Sequence, residues 1–176
     1  MTERYDAVIY DLDGTLVRLN VDWDDAHRDV VAKLRAHDID FDGEGLWELF
    51  ERASEEGFEL LVEETLAEHE RQGAWTSKRL PLADELPHTV PVGVCSLNCE
   101  AACRVALDTH ALGSYVDVIV GRDTVDPVKP DPGPLLSAAR ELSVTPDQSL
   151  FIGDSERDAV AADRAGMDVE YVSERV

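Results

Sequence analysis

The sequence predicts an α/β protein: a parallel sheet flanked by helices, with a small helical subdomain inserted after the first strand. Three observations carry this. Short apolar runs of strand type alternate with helical segments from about residue 90 onward. Residues 17–81 break that alternation, because they show helical periodicity throughout. The chemically suggestive residues fall where strands end, which is where parallel α/β sheets bind ligands. At 176 residues the chain reads as one domain with a modest insertion. That length buries about 70% of the unfolded surface without disulfide staples.

The elements follow in order. Residues 5–10 form a first strand that runs into Asp11-Leu12-Asp13-Gly14-Thr15-Leu16. Within 17–81, Val30, Val31 and Leu34 make one helical apolar set, Leu46, Leu49 and Phe50 a second, and Leu60, Leu61 and Leu66 a third. Gly43, Gly45, Gly57 and Gly73 punctuate these segments. Residues 90–96 form the second strand. A helix over 98–112 then starts on an Asn or Ser cap. Residues 117–120 form the third strand, followed by an Asp- and Pro-rich loop over 122–134 and a helix to about Leu142. The fourth strand, 149–152, ends at Gly153-Asp154. Helix Glu156–Ala165 stops at Gly166, a position suited to a left-handed residue. Residues 168–172 are the last strand. The expected division is a core of 1–16 and 82–176 with a helical cap of 17–81 over the strand ends. One connection holding a whole helical subdomain suggests a lid. The stretch 82–91 is short for a full helix.

Charge narrows the partners. Asp and Glu number 38 against 16 Lys and Arg, for a formal charge of −22. Such a chain repels nucleic-acid phosphates and anionic lipid, so neither nucleic acid nor membrane is an expected partner. Only Lys33, Lys78 and Lys129 are lysines, and the other basic residues are arginine. Abundant carboxylates with scarce lysine is the pattern of an acidic surface adapted to a saline cytoplasm. No apolar run reaches the ~20 residues of a membrane span. The first six residues hold no signal-peptide core, so a cytoplasmic location is expected. Cys95, Cys99 and Cys103 read as reduced, packed thiols rather than zinc ligands. His27, His37, His69, His88 and His110 show no ligand spacing and read as surface residues.

The strand ends carry the chemistry. Asp11 and Asp13 stand at i and i+2 after the first strand, where an extended backbone puts both on one side, and Gly14 allows a sharp turn. Ser96 offers a hydroxyl at the end of the second strand, and the amides of Leu97 and Asn98 open the next helix as an anion site. Lys129, one of three lysines, supplies a compact charge for a phosphate oxygen. Asp11, Asp154 and Asp158 together make a hard oxygen site suited to Mg²⁺.

In this order, Asp11-x-Asp13-Gly14-Thr15-Leu16, Ser96, Lys129-Pro130 and Gly153-Asp154-x-x-x-Asp158 resemble the four motifs of the haloacid dehalogenase-like (HAD) phosphohydrolase superfamily. Within it the chain resembles the phosphoglycolate-phosphatase-like branch with a helical C1 cap. The resemblance implies a three-layer Rossmannoid core. It implies Asp11 as the nucleophile that becomes an aspartyl phosphate, and Asp13 as general acid and then base. It implies a substrate-binding set of Thr15, Ser96, Leu97, Asn98 and Lys129, and Mg²⁺ held by Asp11, the Asp13 carbonyl and Asp154. Asp158 is a further metal partner or orients Lys129. The implied partner is a small phosphorylated metabolite, with the oligomeric state, monomer or homodimer, left open.

Alternatives remain at this level. A β-phosphoglucomutase-like phosphomutase needs cap residues that handle a sugar, and none is identified. A catalytically silent phosphate-binding protein would keep the motifs without turnover. A dehalogenase would not need Asp13, and a receiver-type switch would place its acceptor after the third strand. Arg18, Asn20, Trp23, Lys78 and Arg79 are candidates to read the substrate's far end, against a plainer role as solvated or hinge residues. Trp47, Leu49 and Phe50 read as packing within the helical segment.

Overall fold

The structure is a computed structural model that describes residues 4–39 and 45–175. Its centre is β1 (Ala7–Tyr10), all four residues buried. Strands β4 (Val92–Cys95) and β6 (Ser149–Gly153) pair with it on either side, both parallel, with Ile9 opposite Gly93 and Phe151. Outside them lie β5 (Val118–Val120) and β7 (Asp168–Tyr171), giving the order β5-β4-β1-β6-β7. Strands buried on both faces read as continuous apolar runs, which is why 7–10 and 149–152 lack alternation.

Side-chain alternation along β1 splits the core in two. Val8 and Tyr10 pack with Ala102, Cys103, Ala106 and Leu107 of α4 (Glu100–Thr109). Ala7 and Ile9 pack with α5 (Gly133–Glu141) and α6 (Glu156–Ala165) on the other face. Helices on both faces of a parallel sheet make the three-layer architecture expected from the sequence. The three cysteines are free and buried, in β4, before α4 and in α4.

The segment after β1 holds α1 (Trp23–Arg35), α2 (Leu46–Glu55) and α3 (Glu59–Trp75). Ala26, Val30, Leu34, Leu49, Ala53, Val62 and Leu66 form a core of their own between these helices. Asp22 caps α1 by accepting from the Asp25 amide at 2.9 Å. Helix α3 belongs to two cores, because Ala67 and Ala74 pack with the sheet's α4 face.

The structure corrects several expectations. Residues 17–81 are not wholly helical: β2 (Val17–Arg18) and β3 (Lys78–Arg79) form an antiparallel ribbon where the segment leaves and rejoins the sheet. Two-residue strands are too short to leave a period in the sequence. Gly73 lies inside α3 rather than ending it. A Cβ there would come within 2.9 Å of the Asn20 carbonyl oxygen, so the glycine serves a close backbone approach. Leu60 points outward, 76% exposed, rather than into a core. The helix expected over 98–112 begins at Glu100 on Cys99, with no side-chain cap, and ends at Thr109. His69, His88 and His110 are not plain surface residues. They bond Asp29, the Tyr10 hydroxyl and Ser77, and His88 also stacks on Tyr10, whose buried phenol needs a partner. Residues 81–85 form only a 3₁₀ turn, as the short stretch suggested. Leu49 is buried with Phe50 against it, while Gly43 and the side chain of Trp47 lie outside the described residues.

Candidate active site

The parallel sheet delivers its strand ends to one place. The Asp11 amide donates to the Ile152 carbonyl at 2.8 Å, which fixes the exit of β1 beside that of β6. Lys129, in the loop after β5, is 1% exposed and gives its three donors to three acceptors: Asp11 Oδ1 at 3.0 Å, the Cys95 carbonyl at 2.9 Å and Asp158 Oδ1 at 2.5 Å. One ammonium thus joins the ends of β1 and β4 to the first turn of α6. That turn is built by a capping box in which Ser155 and Asp158 exchange bonds.

Three carboxylates crowd this ammonium. One oxygen each of Asp11, Asp154 and Asp158 lies within 4.8 Å of the others. Burial pushes the Asp11 carboxyl up to about 7 despite Lys129, with Asp158 and Asp154 adding to the rise. Burial, then Asp158, also raises Asp154. Burial opposes the Lys129 charge, but Asp11, Cys95 and Asp158 outweigh it and hold the ammonium well above its ordinary value. The cluster therefore carries more negative charge than one lysine offsets, and its donors are all hard oxygens. That is the chemistry of a divalent cation site of the Mg²⁺ kind. The backbone makes room for it. Gly14 has φ +91°, and a Cβ there would lie 2.0 Å from Asp154 Oδ2.

Asp13 stands apart from the trio. Its Oδ1 accepts from the Leu19 amide at 2.9 Å, so the chain leaving β2 holds the side chain. Burial raises its pKa, partly opposed by that hydrogen bond and by Arg18. The expected metal contact of Asp13 concerns its carbonyl, not this carboxyl. The Thr15 hydroxyl is fully buried, 3.5 Å from Asp11 Oδ2.

The loop after β4 differs from its expected form. The Asn98 amide does not open a helix. It donates to Ser96 Oγ at 3.2 Å, while the Ser96 hydroxyl donates to Asn98 Oδ1 at 3.1 Å. Ser and Asn close a local turn of this kind in competition with helix, and α4 starts two residues later. Ser96, Leu97 and Asn98 nevertheless line one cavity of about 210 Å³ with Asp11, Asp13, Lys129, Asp154 and Asp158.

Trp23, Ser155 and Arg157 also line that cavity. Of the five candidates for reading a substrate's far end, Trp23 reaches it. Asn20 bonds Thr76, and Arg79 bonds Asp84 and the Ala83 carbonyl. Arg18 is exposed, and its charge is felt at Asp13 and Asp154. A larger cleft of about 710 Å³ lies between α2, α3 and the 122–130 loop, sharing Lys129 and Arg157 with the first. Sequence reasoning missed Arg157 and Arg122. Arg157 lies within the Gly153-Asp154-x-x-x-Asp158 motif, in the first turn of α6, a position that could have flagged it.

A family model described as haloacid dehalogenase-like hydrolase matches residues 8–172. A phosphoglycolate phosphatase of Rhodospirillum rubrum is 30% identical over 95% of this chain and 79% of its own length. A relative from Pseudomonas putida is 32% identical over 65% of this chain, but the match spans 45% of that protein. The crystal structure of a HAD-superfamily hydrolase, subfamily IA, from Geobacter sulfurreducens superposes with a TM-score of 0.65 at 23% identity, over 94% of this chain and 88% of that one. Among the described residues, no helix is long and apolar enough to cross a membrane.

Proposed function

The chain belongs to the haloacid dehalogenase-like hydrolase family, and on that premise we propose that it is a Mg²⁺-dependent phosphatase. Its substrate is a small, phosphoglycolate-like phosphomonoester, and the reaction passes through an aspartyl phosphate on Asp11. The observation that carries this reading is the buried Lys129, bonded at once to Asp11 and Asp158 where the strand ends converge. A lysine so placed favours a carboxylate nucleophile and leaves its charge beside the oxygens of a transferring phosphoryl group.

The roles follow from the contacts. Lys129 holds one Asp11 oxygen, and the other, near the Thr15 hydroxyl, attacks phosphorus. An Asp11 O–P bond forms as the bond to the leaving oxygen breaks. Asp13, oriented by the Leu19 amide and kept protonated more readily by burial, gives its proton to that oxygen. It then takes a proton from the water that attacks the phosphorus, which frees Asp11 and inorganic phosphate. The Ser96 hydroxyl, turned away from Asn98, and the Leu97 amide hold phosphoryl oxygens. Mg²⁺ on Asp11, the Asp13 carbonyl, Asp154 and Asp158 would neutralise the charge that develops on those oxygens. A 210 Å³ cavity suits a phosphoryl group with a short leaving group. Residues 17–81 serve as the cap over a core of 1–16 and 82–176, and Trp23 closes the site from the cap side. The reading carries with it a cytoplasmic enzyme acting on a small phosphorylated metabolite.

The test is a panel of phosphorylated metabolites and p-nitrophenyl phosphate at high KCl, with Mg²⁺ or with EDTA. Phosphate release with Mg²⁺ and none with EDTA is expected. No release from any phosphomonoester in Mg²⁺ would overturn the reading.

A further inference from the structure

A second buried charge cluster lies outside this machinery. Arg122 follows β5, its side chain 2% exposed. Its guanidinium has five N–H donors, and five bonds use them. Nε and Nη2 grip Glu63 at 2.7 and 2.8 Å. Nη1 and Nη2 grip Glu70, and Nη1 also donates to the Leu97 carbonyl at 2.7 Å. Glu63 and Glu70 stand seven residues apart on α3, about two turns along one face. Glu70 is fully buried and accepts the Cys99 amide at 2.8 Å as well. The Arg122 amide donates to the Asn98 carbonyl at 3.0 Å.

Residues 96–99 are thus held through their main chain by groups outside the loop. Arg122 takes the carbonyls of Leu97 and Asn98, Glu70 takes the amide of Cys99, and the Val120 carbonyl takes the amide of Ser96 at 2.9 Å. With every guanidinium donor engaged, Arg122 has none left for a substrate anion. Stability alone is a poor account of the cluster, because buried ion pairs rarely outdo apolar packing of equal volume. What three charges in this geometry do specify is register: the rotation and height of α3 against the loop.

We infer that Arg122, Glu63 and Glu70 form a positioning clamp that ties helix α3 of the inserted segment to loop 96–99, so that this loop is ordered to receive a phosphoryl group only while α3 is seated on it. The inference rests on the phosphatase reading for its catalytic consequence. Helix α3 belongs to the fixed frame of the site while also sharing a core with α1 and α2.

The test is the double variant Arg122→Met/Glu70→Met, which replaces the buried pair with apolar side chains of similar length. Three readouts are compared with the parent chain: kinetics on p-nitrophenyl phosphate, inhibition by inorganic phosphate, and hydrogen exchange of the 96–99 amides against those of β4. The clamp predicts a roughly 10–100-fold fall in kcat, the range found when groups supporting a site are removed. It also predicts weaker phosphate inhibition and faster exchange in 96–99 alone, while Glu70→Gln, which keeps hydrogen-bonding capacity, recovers most of the rate. Parental kcat, phosphate inhibition and loop exchange in the folded double variant would overturn it, as would faster exchange spread evenly over the chain. If the double variant does not fold, Glu63→Ala, which removes one of the two carboxylates that grip Arg122, is measured instead, with faster exchange confined to 96–99 expected and its absence contradicting the clamp. A parent chain with no phosphatase activity would sink the phosphatase reading, and exchange and phosphate binding would then decide the clamp alone.

Discussion

Two buried charge clusters lie side by side in this molecule and are built in opposite ways. At Lys129, one ammonium faces three carboxylates, burial raises Asp11 and Asp154, and Asp154 opens to solvent. At Arg122, one guanidinium faces two carboxylates, and although every donor is used by protein groups, as at Lys129, the carboxylates here are closed off from the site cavity. Burial opposes the Arg122 charge, but the bonds to Glu63 and Glu70 outweigh it and raise its pKa. The first cluster is short of positive charge and open on one side, which suits a cation and a phosphoryl group. The second is closed and complete, which suits holding a loop in place. Both clusters hold more carboxylates than cations, and what separates the reactive one is the larger surplus together with an open side.

The sharpest way to break the comparison is at the nucleophile. Asp11→Asn should cut kcat by roughly four orders of magnitude or more while leaving a folded protein, since an amide neither attacks phosphorus nor replaces the carboxylate as a metal ligand. Steady-state assays with circular dichroism check both halves. Lys129→Met comes next. It strips the bonded ammonium from Asp11 and Asp158 and should destabilise the metal-free protein by about 3–5 kcal/mol, because it leaves buried charge unpaired. Added Mg²⁺ should restore part of that loss in denaturant titrations. A variant as stable as the parent without metal would show that the cluster is not charge-starved.

A smaller effect concerns protons. An acid whose folded pKa is raised to about 7 still holds a proton at a pH where an ordinary carboxyl has lost it. Mg²⁺ must displace that proton, so affinity should rise with pH and level off above about 7. Below that pH the gain should be about tenfold per unit for one proton. Calorimetry in buffers of different ionisation enthalpy should find about one proton released near pH 6 and close to none near pH 8. Salt should act most gently and on neither cluster, because buried pairs are poorly screened while exposed carboxylates are screened well. With 38 acidic against 16 basic residues, the melting temperature should climb between about 0.1 and 2 M KCl and then flatten. A flat profile would remove the acidic-surface reading.

The contrast also marks what the sequence could disclose. Asp11, Ser96, Lys129, Asp154 and Asp158 were legible because each follows a strand, and strand ends meet in a parallel sheet whatever the details of packing. The start of α4 was not legible. Ser96 and Asn98 look like helix caps, and only the folded loop has them bonding each other instead. The clamp was hidden by long-range pairing, since Arg122 lies 52 residues from Glu70 in sequence. One signal was present. Val62, Leu66, Glu70 and Ala74 recur every fourth residue, so Glu70 sits on the buried stripe of α3, where a carboxylate needs a partner. Nothing local named that partner. The β2–β3 ribbon and the His88–Tyr10 contact were equally out of reach, one too short for a period and the other made across the fold.

The central claim is that Asp11 takes the phosphoryl group. Mass spectrometry of Asp13→Asn after brief exposure to p-nitrophenyl phosphate and Mg²⁺ tests it most directly, because without its base the variant should hydrolyse the intermediate slowly. The account predicts an acid-quenched peptide containing Asp11 that carries one added phosphoryl group. A phosphoryl group on Ser96, or none on any peptide while the parent chain turns over, would contradict it.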